Sequence, residues 1–285
     1  LLLRGASILA CGGGLSFTEQ TKLLKSARLQ QALRNGITLL SREALKDNDV
    51  FATVSEIGAA SAPVMDKSSL PKALQLPEKK TGTKIAGLIP GEIGQETITL
   101  EAAAILGLPI VDCDLSGCRA VPRLNNLALV VQGIPFTMSP LVVLQSSGEM
   151  VFVEQQKTLE QDEALVRKLV PAGQVVTMLG GCIRGKTIQT FLPYDSYSIA
   201  TELGKSVLNG KLTPQVFPTP LLLGPVRFTI TGIVEQESDG FNKKVVSFSS
   251  SKGQGSITVE NEYMELQLNG QQFTFPQLIM LIDIK

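Results

Sequence analysis

Four short apolar runs, Ile37–Leu40, Val50–Ser55, Ile85–Ile89 and Ile110–Val111, are spaced through the first 115 residues between longer polar or helix-forming stretches. Runs this short read as buried strands, and a chain that alternates strand with helix lays its helices over a sheet instead of assembling a bundle. A helix start is written at Ser16-Phe17-Thr18-Glu19, a capping box, and the helix is expected to continue to about Asn35 with Gly36 as its stop. A second helix is expected over Thr97–Leu106. Upstream, Ile8-Leu9-Ala10-Cys11 has the look of a lipidation box, but Arg4-Gly5 interrupts the apolar region, so the segment reads as a helix running into Gly12-Gly13-Gly14.

Further strands are expected at Leu127–Val131, Leu141–Gln145 and Met150–Glu154, the last two joined by a Ser-Ser-Gly turn. Thr158–Leu169 is an amphipathic helix, and Pro171-Ala172-Gly173 marks a domain boundary, dividing the chain into residues 1–170 and 171–285. Beyond it come a strand at Val175–Leu179, a helix at Ser196–Leu208 and a Pro-rich link over Thr213–Pro225. From about residue 225 the chain is β-rich. Runs at Phe228–Val234, Lys244–Phe248, Ser256–Val259, Tyr263–Leu268 and Leu278–Ile282 lie between turn-forming dipeptides. The expected architecture is therefore an α/β amino-terminal domain with a mixed sheet, followed by a carboxyl-terminal domain ending in a small β sandwich or barrel.

Composition limits the chemistry. The 285 residues include no histidine, so acid–base work falls to carboxylates, thiols, hydroxyls, Lys, Arg or a bound ion. Lys plus Arg and Asp plus Glu number 26 each, which provides no basic field and argues against a nucleic-acid partner. No apolar run is long enough to span a membrane. The four cysteines, Cys11, Cys113, Cys118 and Cys182, are too scattered for a disulfide scaffold and fit a reducing, cytoplasmic setting. No cofactor is specified by a motif; a divalent metal among the acids and assembly into a homo-oligomer both stay open.

The candidate site is the segment Leu108–Pro122. Asp112 and Asp114 follow the Ile110 strand, at the carboxyl end where open α/β sheets bind ligands, and strand alternation points both to one side with Cys113 on the other. Sharing a proton would raise one carboxyl; the bland reading is that they cap the following turn. Glu92, between glycines after the Ile85 strand, is a second acid on the same edge, and Arg119 offers either a fork to a substrate or an ion pair to the aspartates. Gly12, Gly13 and Gly14 either hold an anion on free amides or make a tight turn. Cys182 or Cys118 is a candidate nucleophile if Arg184 or Arg119 depresses its pKa.

Gly180–Thr187 matches the phosphate-binding pattern G-x-x-x-x-G-K-[ST] letter for letter. That loop must open a helix, whereas Thr187–Phe191 alternates like a strand and Pro193 follows closely. The match is expected to be structural.

The Gly loop after an Ala-rich helix, Glu92-Ile93-Gly94, Leu106–Asp114, Gly117, Arg119-Ala120, Pro122, Asn261-Glu262-Tyr263 and Pro276–Ile279 together resemble the S-methyl thiohydantoin desulfurase-like family, long described as domain of unknown function 917. The resemblance implies two domains, a pocket near the Gly loop and the Asp112–Arg119 turn, and hydrolytic loss of sulfur from a thiohydantoin ring. The chain departs from the family pattern at Gln95-Glu96-Thr97 and at Arg123. Two readings follow. One is a hydrolase of a small cyclic amide or thioamide with Asp112, Asp114 or Glu92 as general base, amides near Gly12–Gly14 holding the oxyanion and Arg119 orienting the substrate. The other is a non-catalytic ligand-binding or subunit protein that kept the fold.

Overall fold

The computed structural model describes residues 1–58, 65–193, 195–211, 223–238 and 241–281. The chain opens with α1 (Leu2–Leu9), α2 (Phe17–Leu24) and α3 (Ala27–Asn35), then β1 (Leu39–Leu40) and β2 (Val50–Gly58). After α4 (Leu70–Thr81), β3 (Ile85–Pro90), α5 (Glu96–Leu106) and β4 (Ile110–Val111) come α6 (Ala128–Val131), β5 (Leu141–Leu144), β6 (Met150–Val153) and α7 (Leu159–Leu169). The α/β part ends with β7 (Val175–Arg184), α8 (Gly185–Phe191) and α9 (Ser196–Leu208). The last five strands are β8 (Phe228–Ser238), β9 (Phe241–Ser250), β10 (Gly253–Glu260), β11 (Glu262–Leu268) and β12 (Gln271–Thr274).

Two sheets result. The first has seven strands in the order β1-β4-β3-β2-β7-β5-β6, with the β1, β4, β3 and β2 pairings parallel and the rest antiparallel. Its strands show why short apolar runs sit here. Leu88, Ile110, Val142 and Leu179 face one core, whereas their neighbours Ile89, Val111, Val143 and Met178 face the other, so each run is apolar on both sides because helices cover both faces. The second sheet is a meander, β12-β11-β10-β9-β8, with a separate small core around Phe248, Ile257, Val259 and Leu268.

Several expectations need correction. The boundary at Pro171-Ala172-Gly173 does not divide the sheets, because β7 re-enters the first sheet between β2 and β5, and α9 still packs on that layer. Among the described residues the β-rich end forms a separate five-stranded antiparallel sheet with β8 and β12 at its edges. The single helix expected over residues 16–35 is two: the capping box forms at Ser16 and Glu19, but Ser26 caps a new start by accepting from the Leu29 amide at 3.3 Å. Leu127–Val131 contains one helical turn, and Thr187–Phe191 lies in α8. Short apolar stretches cannot distinguish helix from strand, and tertiary packing decided both. Residues 278–281 form no strand; the polar Gln271–Thr274 completes the meander through β11 instead. Ile282 and most of the Pro-rich link lie outside the described residues. Helix α4 is disguised in the sequence by Pro71 and Pro77; the first sits in its opening turn, where proline costs nothing.

Helices α1 and α9 cross so closely that Gly5 and Gly204 are required. A Cβ on Gly5 would lie 1.7 Å from the Ala200 carbonyl oxygen, and one on Gly204 would lie 2.1 Å from that of Leu1. Gly5→Ala gains about 1 kcal/mol of helix propensity but forces two backbones apart. Overpacking of this kind costs about 1–3 kcal/mol or more, so the clash wins and the melting temperature of Gly5→Ala should fall. A differential scanning calorimetry trace unchanged from wild type would contradict this packing.

Candidate functional site

A cleft of about 1520 Å³ opens where the carboxyl ends of β2 and β3 meet the β10–β11 turn of the second sheet. Its floor is built by backbone approach. Gly14 packs against Gly94, whose carbonyl accepts from the Leu15 amide at 2.8 Å. Gly13 admits the Glu262 carboxyl: a Cβ there would lie 2.1 Å from Glu262 Oε1. Gly12 admits the Tyr263 ring, and the Tyr263 amide donates to the Cys11 carbonyl at 2.7 Å. Close packing therefore explains the three glycines, and the Gly13 amide is already donated to Ala10 at 3.0 Å.

Glu92 lines this cleft, held by the Val121 amide at 3.0 Å on Oε2 and by Gln95 Nε2 at 2.8 Å on Oε1. Gln95 is itself clamped to β2: its Oε1 accepts from the Glu56 amide at 2.9 Å and its Nε2 also donates to the Glu56 carbonyl at 3.1 Å. Burial raises the Glu92 pKa against these hydrogen bonds, with Glu96 and Asp114 adding to it. Across the cleft Lys67, 1% exposed, pairs with Glu56 at 2.7 Å and Glu101 at 3.2 Å. Glu262, 4% exposed, is raised by burial first and by Glu92 second, against the pull of Arg119. Its Oε2 has no hydrogen-bond partner among the described residues, nor does the buried Thr53 hydroxyl that also lines the cleft.

Other candidates lie elsewhere. Asp112 does not line the cleft; it caps α9, accepting from the Tyr197 amide at 2.7 Å and the Ser198 hydroxyl at 2.6 Å. Asp114 is 0% exposed and accepts from the Ser116 amide and hydroxyl, each at 2.8 Å, from the Cys118 amide at 2.9 Å and from the Ser196 hydroxyl. Through these bonds the two aspartates hold the turn after β4 and the start of α9. Arg119 is 1% exposed, donates to the carbonyls of Ala120, Gln277 and Tyr263, and stacks 4.6 Å from the Phe275 ring centre, tying the two sheets together.

Burial pushes the thiols of Cys113 and Cys118 up, and that of Cys182 up to about 11, the reverse of an activated nucleophile. Cys182 sits on β7 beside Val50, Ala52 and Ile85, away from the cleft. The phosphate-loop match fails for a reason other than the one expected. A helix does follow, but β7 runs straight into it with no loop between, and the Gly185 and Lys186 amides donate to Asp49 and Asp47 carbonyls at 2.9 and 3.1 Å. Among the described residues no group of three or more Cys, Asp or Glu is placed to hold a metal ion, and no helix is long and apolar enough to cross a membrane.

Sequence reasoning missed Glu262, Lys67 and the role of Gln95. Asn261-Glu262-Tyr263 carried part of the family resemblance, which was the available signal for Glu262. Nothing local reveals that this turn packs on a loop some 250 residues earlier.

Residues 1–155 match the family model described as S-Me-THD-like, N-terminal domain. No curated protein matches the chain. A crystal structure of a protein from Chromobacterium violaceum has a TM-score of 0.67 and 22% identity, covering 97% of this chain and 78% of that one, a likeness of fold.

Glu96 provides a test of the acidic layer behind the cleft. It is 0% exposed, accepts from the Gly94 amide at 2.8 Å and is raised by burial to about 7. The native state thus favours its neutral form, so its contribution to stability is whole below the ordinary carboxylate range and is lost as pH rises through about 7. The melting temperature of Glu96→Gln should exceed that of wild type by more at pH 8 than at pH 5. A constant difference across that range would show that Glu96 ionises normally.

Proposed function

Since the chain belongs to the S-Me-THD-like family, we propose that it is a hydrolase of a small cyclic amide or thioamide of the thiohydantoin or hydantoin type, with Glu92 as general base. The observation that carries this reading is the Glu92 carboxylate, fixed by two donors and raised in basicity by burial, on the wall of a cleft large enough for a ring substrate. Ile98, Leu115, Val121 and Met178 supply apolar wall for the ring, while Glu92 removes a proton from water as its oxygen attacks the ring carbon. The base thus comes from Glu92 and not from Asp112 or Asp114, whose oxygens are committed to α9 and its approach. The four free cysteines fit a reducing compartment such as the cytoplasm.

The two departures from the family pattern leave the cleft furnished. Gln95 orients Glu92, and Arg123 pairs with Glu260 of the second sheet at 2.9 Å. Glu92→Gln should lower thiol release from S-methyl thiohydantoins by about two orders of magnitude or more, the usual contribution of general base catalysis, with the circular dichroism spectrum unchanged. If wild-type protein releases no thiol from a panel of these rings yet is stabilised against heat by hydantoin, the non-catalytic binding reading replaces the enzyme.

A further inference from the structure

The hydrolase reading leaves the departing sulfur without a proton source. Buried ionisable groups near the cleft that it does not use include Lys67, Glu96, Glu163 and Glu262. Lys67 is held between Glu56 and Glu101, and Glu163 is paired with Arg167 at 2.7 Å. Glu96 does not line the cleft. Glu262 does, with one oxygen against Gly13 and the other buried and without a partner among the described residues. A carboxyl in that setting is costly unless it carries its own proton and has something to donate it to.

Building on the hydrolase reading, we propose that Glu262 is the general acid that protonates the leaving sulfur, so that the five-stranded sheet supplies half of the catalytic pair. In hydrolysis of an S-methyl thiohydantoin the water oxygen bonds to the ring carbon that bears sulfur, and one water proton passes to Glu92. The carbon–sulfur bond breaks with its electron pair on sulfur, and Glu262 gives that sulfur its proton, releasing methanethiol. The second water proton ends on the ring nitrogen, leaving a carbonyl at the ring carbon. Proton return from Glu92 to Glu262 restores both groups. Burial and the facing Glu92 raise the Glu262 pKa, which keeps it protonated for this role, and the absence of a side chain at Gly13 is what lets the carboxyl reach the floor of the cleft.

The test is leaving-group dependence. A para-nitrothiophenolate departs without protonation, whereas methanethiolate needs an acid. Glu262→Gln, which is isosteric, should lower turnover of the S-methyl ring by about 100-fold or more while changing turnover of the S-para-nitrophenyl ring by less than about five-fold. Wild-type protein offers the same readout without a variant: as pH rises through ionisation of Glu262, the S-methyl rate should fall before the S-para-nitrophenyl rate does. An equal loss on both substrates, or no loss, in an otherwise active enzyme overturns the assignment alone. Wild-type silence on both rings overturns the hydrolase reading and this assignment with it.

Discussion

The site depends on the bare backbone of Gly12, Gly13 and Gly14. The Tyr263 ring, the Glu262 carboxyl and the Gly94 backbone each occupy space that a Cβ would need, at 2.7, 2.1 and 2.7 Å from the three ideal positions. Any side chain there would drive the second sheet or the β3–α5 turn away from the loop. Behind this contact, Arg119 reaches from the first sheet to the carbonyls of Tyr263 and Gln277 and stacks on Phe275, and the Arg123–Glu260 pair adds a second tie. Both walls of the cleft are set by this seam, because Glu92 stands on one side of it and Glu262 on the other.

Buried charge is handled in two ways. Asp112 and Asp114 are surrounded by donors from α9 and the turn that follows β4, and Lys67 lies between two carboxylates. Such groups hold geometry, because their hydrogen bonds offset the loss of water. Glu262 and Thr53 differ: each buries a polar oxygen with no partner among the described residues, at about 1–3 kcal/mol for an unsatisfied group, and both line the cleft. Asp112, Asp114 and Lys67 build the frame, whereas Glu262 and Thr53 border the cleft and Glu96 buries an unpartnered oxygen behind it.

The alternation of short apolar runs with helices made the first sheet legible, and the strands at Val50, Ile85, Ile110, Leu141 and Met150 lie where it places them. Periodicity works there because helices cover both faces of the sheet and leave one burial pattern. It failed at Leu127–Val131 and Thr187–Phe191, where a few residues satisfy either period, and at α4, where two prolines outweighed a helix that packing stabilises. In the site, Glu92 and the Gly loop were legible from their position at element ends. Asp112, Asp114 and Arg119 were legible as charges that must be paired, but whether a ligand or a helix pairs them is not a local property.

The sequence by itself determined the class of layer, the capped helix starts, the β-rich end and the restriction of acid–base chemistry to carboxylates, because these follow from periodicity, capping and the absence of histidine. Tertiary structure alone decided which carboxylates face the cleft. The aspartates at the end of β4 were drawn to the amide-rich start of α9, about 80 residues downstream, and Glu262 was brought to the Gly loop from the far end of the chain. Local sequence carries no record of such meetings, since the energy that selects them comes from desolvation and close packing between distant segments.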